Sequence, residues 1–147
     1  MPFTIDGKLR SGVFELEGDV SSQYVTGLLF ALPLLDGDSE IRMLSKLESK
    51  PYVDLTIACL RHFGIAVQET EQGYAVAGGQ QYHACDLTVE GDYSQAAFFC
   101  VANALGSDIT LTNLNPESVQ GDKKIVEIVR EMCYNREQGL PAGFTVD

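Results

Sequence analysis

The chain has 147 residues, of which 45% are hydrophobic and 21% are charged, a balance typical of a globular protein. Ten basic residues stand against twenty-one acidic ones, so the formal net charge at pH 7 is −11. Such an acidic chain is not expected to bind nucleic acid or an anionic membrane surface, because both require basic faces. It can still bind a phosphorylated small molecule, since a helix N-terminus holds phosphate without net positive charge.

The N-terminal residues and the cysteines indicate a cytoplasmic protein. The first residues lack the basic and apolar stretches of a signal peptide, and the longest apolar run, Leu28–Leu35, is too short to cross a bilayer. Cys59, Cys85, Cys100 and Cys133 lie in apolar patterns without a Cys-x-x-Cys pair. This arrangement is typical of buried free thiols in a reducing compartment, so we expect a cytoplasmic location.

An internal repeat organises the chain. The pattern Glu-Gly-Asp-x-Ser at Glu17–Ser21 recurs 73 residues later at Glu90–Ser94. Each copy is followed by an apolar helical run, a turn, a short alternating strand and a second helix. The predicted fold class is therefore α/β, with two related strand-helix-strand-helix units at residues 1–86 and 87–147.

The predicted elements follow the same order in both copies. In the first copy they are a strand leading to Gly18, a helix over 22–32, a strand at Ser39–Met43, a helix that begins at Lys50-Pro51 and ends at Gly64, and a strand pair, Ile65–Val67 with Tyr74–Val76. In the second copy they are a helix over 94–105, a strand at Ile109–Asn113 and a helix after Gly121-Asp122; a connection at 85–90 precedes them and a strand at Phe144–Val146 follows.

Hydrophobic periodicity predicts which helix faces are buried. The helices at 22–32 and 94–105 are apolar almost all round, so each is expected to be a buried central helix. The second helices each carry one apolar stripe, at Tyr52, Leu55, Cys59 and Phe63 and at Ile125, Ile128, Val129 and Met132 respectively.

Two helix starts carry residues suited to binding an anion. In Gly18–Gln23, glycine permits close approach, and the hydroxyls of Ser21 and Ser22 lie beside unpaired helix N–H groups. The alternative is that Asp19 or Ser21 only caps the helix. Ser49 could likewise cap the second helix or add a third hydroxyl to the same anion. Tyr52 could be a core aromatic or could reach a ligand.

Metal binding and a self-contained catalytic set are not indicated. Cys59 with His62, and His83 with Cys85, have spacings found in zinc sites, but Cys59 falls in the apolar stripe of its helix. The chain contains no GxGxxG, GxxxxGK[ST] or GxSxG pattern. We therefore expect no metal and no nucleotide cofactor.

Four motifs, in the right order, resemble those of the EPSP synthase (3-phosphoshikimate 1-carboxyvinyltransferase) family. They are Gly18–Leu34, Ser49–Asp54, Glu90–Ala97 and Ser118–Lys123, and the resemblance runs from about residue 6 to about residue 133. It implies the enolpyruvate transferase fold, an inverse α/β barrel-like arrangement of two lobes, each with three related units. This chain would then carry one unit of the first lobe and an incomplete unit of the second.

The resemblance also implies an activity. The family transfers the enolpyruvyl group of phosphoenolpyruvate to the 5-hydroxyl of shikimate 3-phosphate, in the shikimate pathway, without an organic cofactor. By matching motif, Ser21, Ser22 and Ser49 would contact the 3-phosphate. Gln23 would contact both shikimate 3-phosphate and phosphoenolpyruvate, and Tyr52 would lie against the shikimate ring.

The chain lacks several of the family's functional segments. No match is found here for the family's lysine-containing N-terminal phosphate motif, its Asn-Ala-Gly-Thr loop or its acid–base carboxylates. No catalytic residue is therefore assigned. The isolated chain is expected to be an inactive internal fragment that needs the rest of the parent enzyme. Two alternatives remain open. One is a non-catalytic binding or structural module of the same fold. The other is a relative that acts on UDP-N-acetylglucosamine, which the Ser-Ser-Gln and Ser-Lys-Pro-Tyr motifs disfavour.

Overall fold

The computed structural model describes residues 2–134. The chain forms two compact units, which we call unit 1 (Met1–Asp86) and unit 2 (Leu87–Asp147). Unit 1 contains β1 (Val13–Leu16), α1 (Ser22–Ala31), β2 (Ser39–Met43), α2 (Lys50–His62), β3 (Gln68–Thr70) and β4 (Gly73–Val76). The described part of unit 2 contains α3 (Tyr93–Ala104) and α4 (Lys124–Tyr134). Short 3-10 turns, Leu32–Leu34 and Gly121–Lys123, follow α1 and precede α4.

The strands of unit 1 form one mixed sheet in the order β1-β2-β4-β3. β1 and β2 are parallel, with Leu16 opposite Met43, so the chain must cross over between them, and α1 makes that crossover. β4 is antiparallel to both β2 and β3. The predicted α/β fold is confirmed.

A single apolar cluster holds the helices of unit 1 on the sheet. Its buried members on α1, α2 and the strands, with two from the adjoining turns, are Val25, Leu29, Leu32, Ile41, Val53, Ile57, Leu60, Ile65, Tyr74 and Val76. A smaller cluster in unit 2 joins α3 to α4 and contains Tyr93, Ala96, Leu114 and Val126.

The predicted buried face of α2 is wrong, and that of α4 is right for Val129 but wrong for Ile128 and Met132. α2 buries Val53, Ile57 and Leu60, while Tyr52 on the predicted stripe is 53% exposed. α4 buries Val126 and Val129, and it leaves Ile128 and Met132 exposed. Each helix has apolar residues on two faces, so the position of the neighbouring elements decides which face is buried.

α1 and α3 are not the fully buried helices that their composition predicts. Tyr24 and Phe30 are exposed on α1. On α3, which contains no charged residue, Phe98 is 72% exposed. Leu105, which follows α3, is 77% exposed. Each helix therefore buries one apolar stripe and presents another at the surface of its unit.

Two predicted strands are absent from their predicted positions for the same physical reason. The Ile65–Val67 strand begins instead at Gln68, because the Gln80 side-chain amide binds both the N–H (2.7 Å) and the C=O (3.0 Å) of Ala66. In the Ile109–Asn113 segment the structure has only an isolated bridge at Leu111. Here the buried Asn103 amide binds both backbone groups of Ile109, at 2.9 and 2.7 Å.

The predicted end signals of α2 are confirmed. Pro51 lies in the first turn, and Gly64 follows the helix with a φ of +81°, which a residue with a side chain rarely adopts. Of the cysteines expected to be buried, Cys100 is buried, Cys59 is partly buried and Cys85 is exposed. The side chain of Cys133 and the predicted strand Phe144–Val146 lie outside the described residues. Within residues 2–134 the helices are too short or too polar to cross a membrane.

Candidate functional site

The topology of the sheet brings the start of α1 and the start of α2 to one edge. β1 and β2 are adjacent and parallel, so their carboxyl ends lie side by side. α1 begins after the first of these ends and α2 after the second. The carboxyl edge of parallel strands is where ligands usually bind in open α/β sheets.

The loops that precede the two helices are in direct contact. The Leu44 N–H donates to Leu16 O (2.9 Å), the Gly18 N–H donates to Ser45 Oγ (2.8 Å), and the Glu48 N–H donates to Gly18 O (3.2 Å). A Cβ atom at Gly18 would lie 2.7 Å from backbone atoms of Ser45 and Lys46. Glycine at position 18 is therefore required for this close approach.

Ser21 caps α1. It has an extended backbone (φ −167°, ψ 130°), and its Oγ accepts from the Gln23 N–H at 3.2 Å. Asp19, the other predicted cap, is not one, because its carboxylate accepts from the Ser45 hydroxyl at 3.3 Å. Ser22 is partly exposed in the first turn beside the cap. The N-terminus of α1 is therefore capped by a neutral hydroxyl.

Ser49 and Tyr52 stand at the start of α2. Ser49 occupies the cap position, but its hydroxyl makes no capping hydrogen bond. Tyr52 is exposed, which excludes the core interpretation, and its N–H donates to Ser49 O at 3.1 Å. α1 and α2 are joined by the hydroxyls of Thr26 and Thr56, 3.2 Å apart. All five predicted binding residues thus lie on the first turns of α1 and α2 or at their caps; whether they share one phosphate stays a prediction.

A cation lies at this edge that the sequence interpretation did not single out. Lys50 Nζ lies 2.7 Å from Asp54 Oδ1 and 3.2 Å from Glu69 Oε1. The hydrogen bond to Asp54 is the main reason that the pKa of Lys50 is raised. Lys50 also lines a pocket of about 230 Å³ next to the β3–β4 turn, and the pocket's lining includes none of the five predicted residues. The i,i+4 spacing of Lys50 and Asp54 was the available sequence signal.

The second copy of the repeat has a different helix start. Asp92 caps α3, and its carboxylate accepts from both the N–H (2.8 Å) and the hydroxyl (2.7 Å) of Ser94. These hydrogen bonds hold the pKa of Asp92 below its usual value. The Tyr93 N–H donates to Gln120 Oε1 at 2.9 Å. The N-terminus of α3 is therefore occupied by the protein's own carboxylate and amide.

A polar network fixes the segment before α3. Glu90 accepts from the Ser118 hydroxyl and from Gln120 Nε2 (2.9 Å), and Gln120 Nε2 also donates to Gly91 O at 2.9 Å. Burial alone would raise the pKa of Glu90, but these hydrogen bonds and the charge of Lys123 outweigh it and lower the pKa. Ser118 and Gln120 of the Ser118–Lys123 motif therefore fix the segment before α3 through Glu90 and Gly91.

The two pairs with zinc-like spacing, Cys59 with His62 and His83 with Cys85, are not part of a metal-binding cluster in the described residues. Among residues 2–134, no three His, Cys, Asp or Glu side chains are grouped to hold a metal ion. The His83 N–H donates to Phe63 O at 2.8 Å. The His83 ring lies so close to Gly64 that a Cβ there would be 2.6 Å from its Cδ2 atom. This histidine packs against the end of α2.

The fold and the helix starts define an α/β protein with two adjacent helix N-termini at the carboxyl edge of a sheet. Within that class the sequence profile described as EPSP synthase (3-phosphoshikimate 1-carboxyvinyltransferase) matches residues 1–145. The chain belongs to the EPSP synthase family.

Relatives agree with this family, and a solved structure agrees with the fold. The 3-phosphoshikimate 1-carboxyvinyltransferase of Clostridium beijerinckii is 47% identical over 92% of this chain, and that of Clostridium kluyveri is 51% identical over 94%. The chain spans about a third of the length of these relatives, 32% and 33% respectively. An EPSP synthase structure from Acinetobacter baumannii matches 85% of this chain and 27% of its own, with a TM-score of 0.65 and 24% identity, which supports the fold.

Proposed function

We propose that this chain forms part of the shikimate 3-phosphate site of a 3-phosphoshikimate 1-carboxyvinyltransferase. The complete enzyme would transfer the enolpyruvyl group of phosphoenolpyruvate to the 5-hydroxyl of shikimate 3-phosphate and release phosphate. Its pathway would be chorismate and aromatic amino acid biosynthesis in the cytoplasm. The observation that carries the proposal is the pair of helix N-termini, α1 and α2, held at one sheet edge by the contact between Gly18 and Ser45.

Hydroxyls and helix dipoles are suited to a phosphate. Ser21 Oγ accepts from the Gln23 N–H and retains its own proton, which it can donate to a phosphate oxygen. Ser22 and Ser49 supply two further hydroxyls that are not engaged in capping. Such hydrogen bonds to a phosphate are charge-assisted, and the two helix dipoles add to them.

Gln23 and Tyr52 would orient the rest of the substrates. Both side chains are exposed on the first turns of their helices, so they are accessible to a ligand at the same edge. We assign Gln23 to both shikimate 3-phosphate and phosphoenolpyruvate, and Tyr52 to the shikimate ring. No residue of this chain is assigned to the acid–base chemistry, which would require the rest of the parent enzyme.

A titration of this chain with shikimate 3-phosphate, followed by amide NMR, tests the site. The amides of Ser21, Ser22 and Ser49 should shift together, while unphosphorylated shikimate should leave them unchanged. We expect a millimolar dissociation constant, about −4 kcal/mol, because the net charge of −11 opposes an anion. Equal shifts in the Ser21→Ala/Ser22→Ala variant, or shifts that map to His62 and His83, would contradict the assignment.

Ser94→Ala is the matched control. It removes a hydroxyl from the corresponding helix start of unit 2, where Asp92 already occupies the helix N-terminus. Shikimate 3-phosphate should therefore bind Ser94→Ala and the unaltered chain equally. Loss of binding in this variant would indicate a general effect of removing a serine rather than a site at α1.

A further inference from the structure

The two copies of the Gly-Asp pattern place their aspartates differently. In unit 2 the Asp92 carboxylate lies on the N-terminus of α3, within 2.8 Å of the Ser94 N–H. In unit 1 the corresponding Asp19 is turned to the Ser45 hydroxyl, 3.3 Å away, and Ser21 caps the helix instead. Unit 2 thus shows the position that an aspartate takes when no hydroxyl from another loop binds it.

We propose that Ser45 is a positioning residue that keeps the Asp19 carboxylate off the N-terminus of α1 and so leaves this end open to phosphate. The inference rests on the proposed function, in which that helix end binds shikimate 3-phosphate. Ser45 makes two hydrogen bonds that would hold the Asp19 carboxylate in this position. Its Oγ accepts from the Gly18 N–H at 2.8 Å, which fixes the hydroxyl, and its proton is directed to Asp19 Oδ1.

Removal of the Ser45 hydroxyl would release Asp19. Its carboxylate would then be free to accept from the N–H and hydroxyl of Ser21, as Asp92 accepts from those of Ser94. It would compete for the hydroxyl that the phosphate needs, and it would repel the phosphate. One unit charge about 4 Å from the phosphate, in largely aqueous surroundings, weakens binding about tenfold.

Four versions of the chain separate this effect from simple damage to the loop: the unaltered chain, Ser45→Ala, Asp19→Asn and the double variant. Shikimate 3-phosphate should bind Ser45→Ala about tenfold more weakly than the unaltered chain. The double variant should regain most of the affinity, because an asparagine carries no charge to repel the phosphate and its neutral amide oxygen accepts a hydrogen bond more weakly than a carboxylate does. Asp19→Asn alone should bind like the unaltered chain. Equal binding by Ser45→Ala, or no recovery in the double variant, would overturn the proposal.

Amide NMR without ligand decides the function of Ser45 independently of the phosphate site. In the Ser45→Ala background, Asp19→Asn should change the amide shifts of Ser21 and Ser22, because the carboxylate has moved to them. In the unaltered background the same substitution should change them little. If the unaltered chain does not bind shikimate 3-phosphate, the proposed function is wrong. The comparison of amide shifts among the four versions of the chain still confirms or refutes the positioning of Asp19 by Ser45.

Discussion

Gly18→Ala tests whether the contact between two loops holds the starts of α1 and α2 together. The new Cβ would lie 2.7 Å from backbone atoms of Ser45 and Lys46, which cannot rotate away as a side chain would. Overpacking of this kind costs about 1–3 kcal/mol. Separation of the loops would also lose the hydrogen bonds of Gly18 with Ser45 and Glu48, each worth about 1 kcal/mol. We expect the free energy of unfolding of unit 1 to fall by about 2–4 kcal/mol.

Urea unfolding should be followed by the amide signals of unit 1 alone, because the chain has two compact units that need not unfold together. Gly27→Ala is the matched control. Gly27 lies within α1, and a Cβ there would meet nothing within 4 Å, so alanine should stabilise the helix by about 0.5–1 kcal/mol. The free energy of unfolding of unit 1 is therefore expected to fall in Gly18→Ala and to rise in Gly27→Ala. A Gly18→Ala chain as stable as the unaltered one would refute the loop contact.

Three further predictions concern the acid sensitivity, the self-association and the turnover of the chain. The pKa of Glu90 is lowered in the folded chain, so the stability that its hydrogen bonds supply is complete above the unfolded pKa of about 4.3 and is lost as the pH falls through the lower folded pKa. Protection of the α3 amides from hydrogen exchange should therefore fall in acid, and Glu90→Gln should remove this loss of protection. The exposed Phe98 and Leu105 should make the chain self-associate in sedimentation, and Phe98→Gln/Leu105→Gln should shift it towards monomer, whereas a chain that is monomeric without substitution would contradict this. Phosphate release with both substrates should stay at the no-enzyme background, and measurable turnover would show that the chain holds a complete site.

The helices of both units were predictable because their signals are local. Pro51 and Gly64 mark the start and end of α2 in the structure as they do in the sequence. The strands were less predictable, because long side chains from elsewhere compete for their backbone groups. Gln80 binds Ala66 across 14 residues and so displaces the start of β3. Nothing in the alternating pattern near Ala66 encodes that contact.

The faces of the helices could not be chosen from periodicity. In α2 the stripe of Val53, Ile57 and Leu60 and the stripe that includes Tyr52 and Leu55 are both apolar, and only the first one contacts the sheet. The exposure of Tyr52 matters for the site, since a buried tyrosine at this position would be unavailable to a ligand. The repeat pattern located the two helix starts, and the parallel pairing of β1 with β2 brought them to one edge.

The proposed anion site illustrates how far a local motif predicts the position of a side chain. Asp19 and Asp92 each directly follow a glycine, and each lies two residues before a serine, so sequence alone assigns them one function. In the structure Asp92 caps a helix and Asp19 does not, and the difference is made by Ser45, which is 26 residues away from Asp19 along the chain. A carboxylate cap fills the positive end of a helix dipole, whereas a hydroxyl cap leaves that end able to attract an anion. In our proposal the first repeat copy therefore presents its helix start to a phosphate, because Ser45, a residue distant in sequence, holds Asp19 away from it.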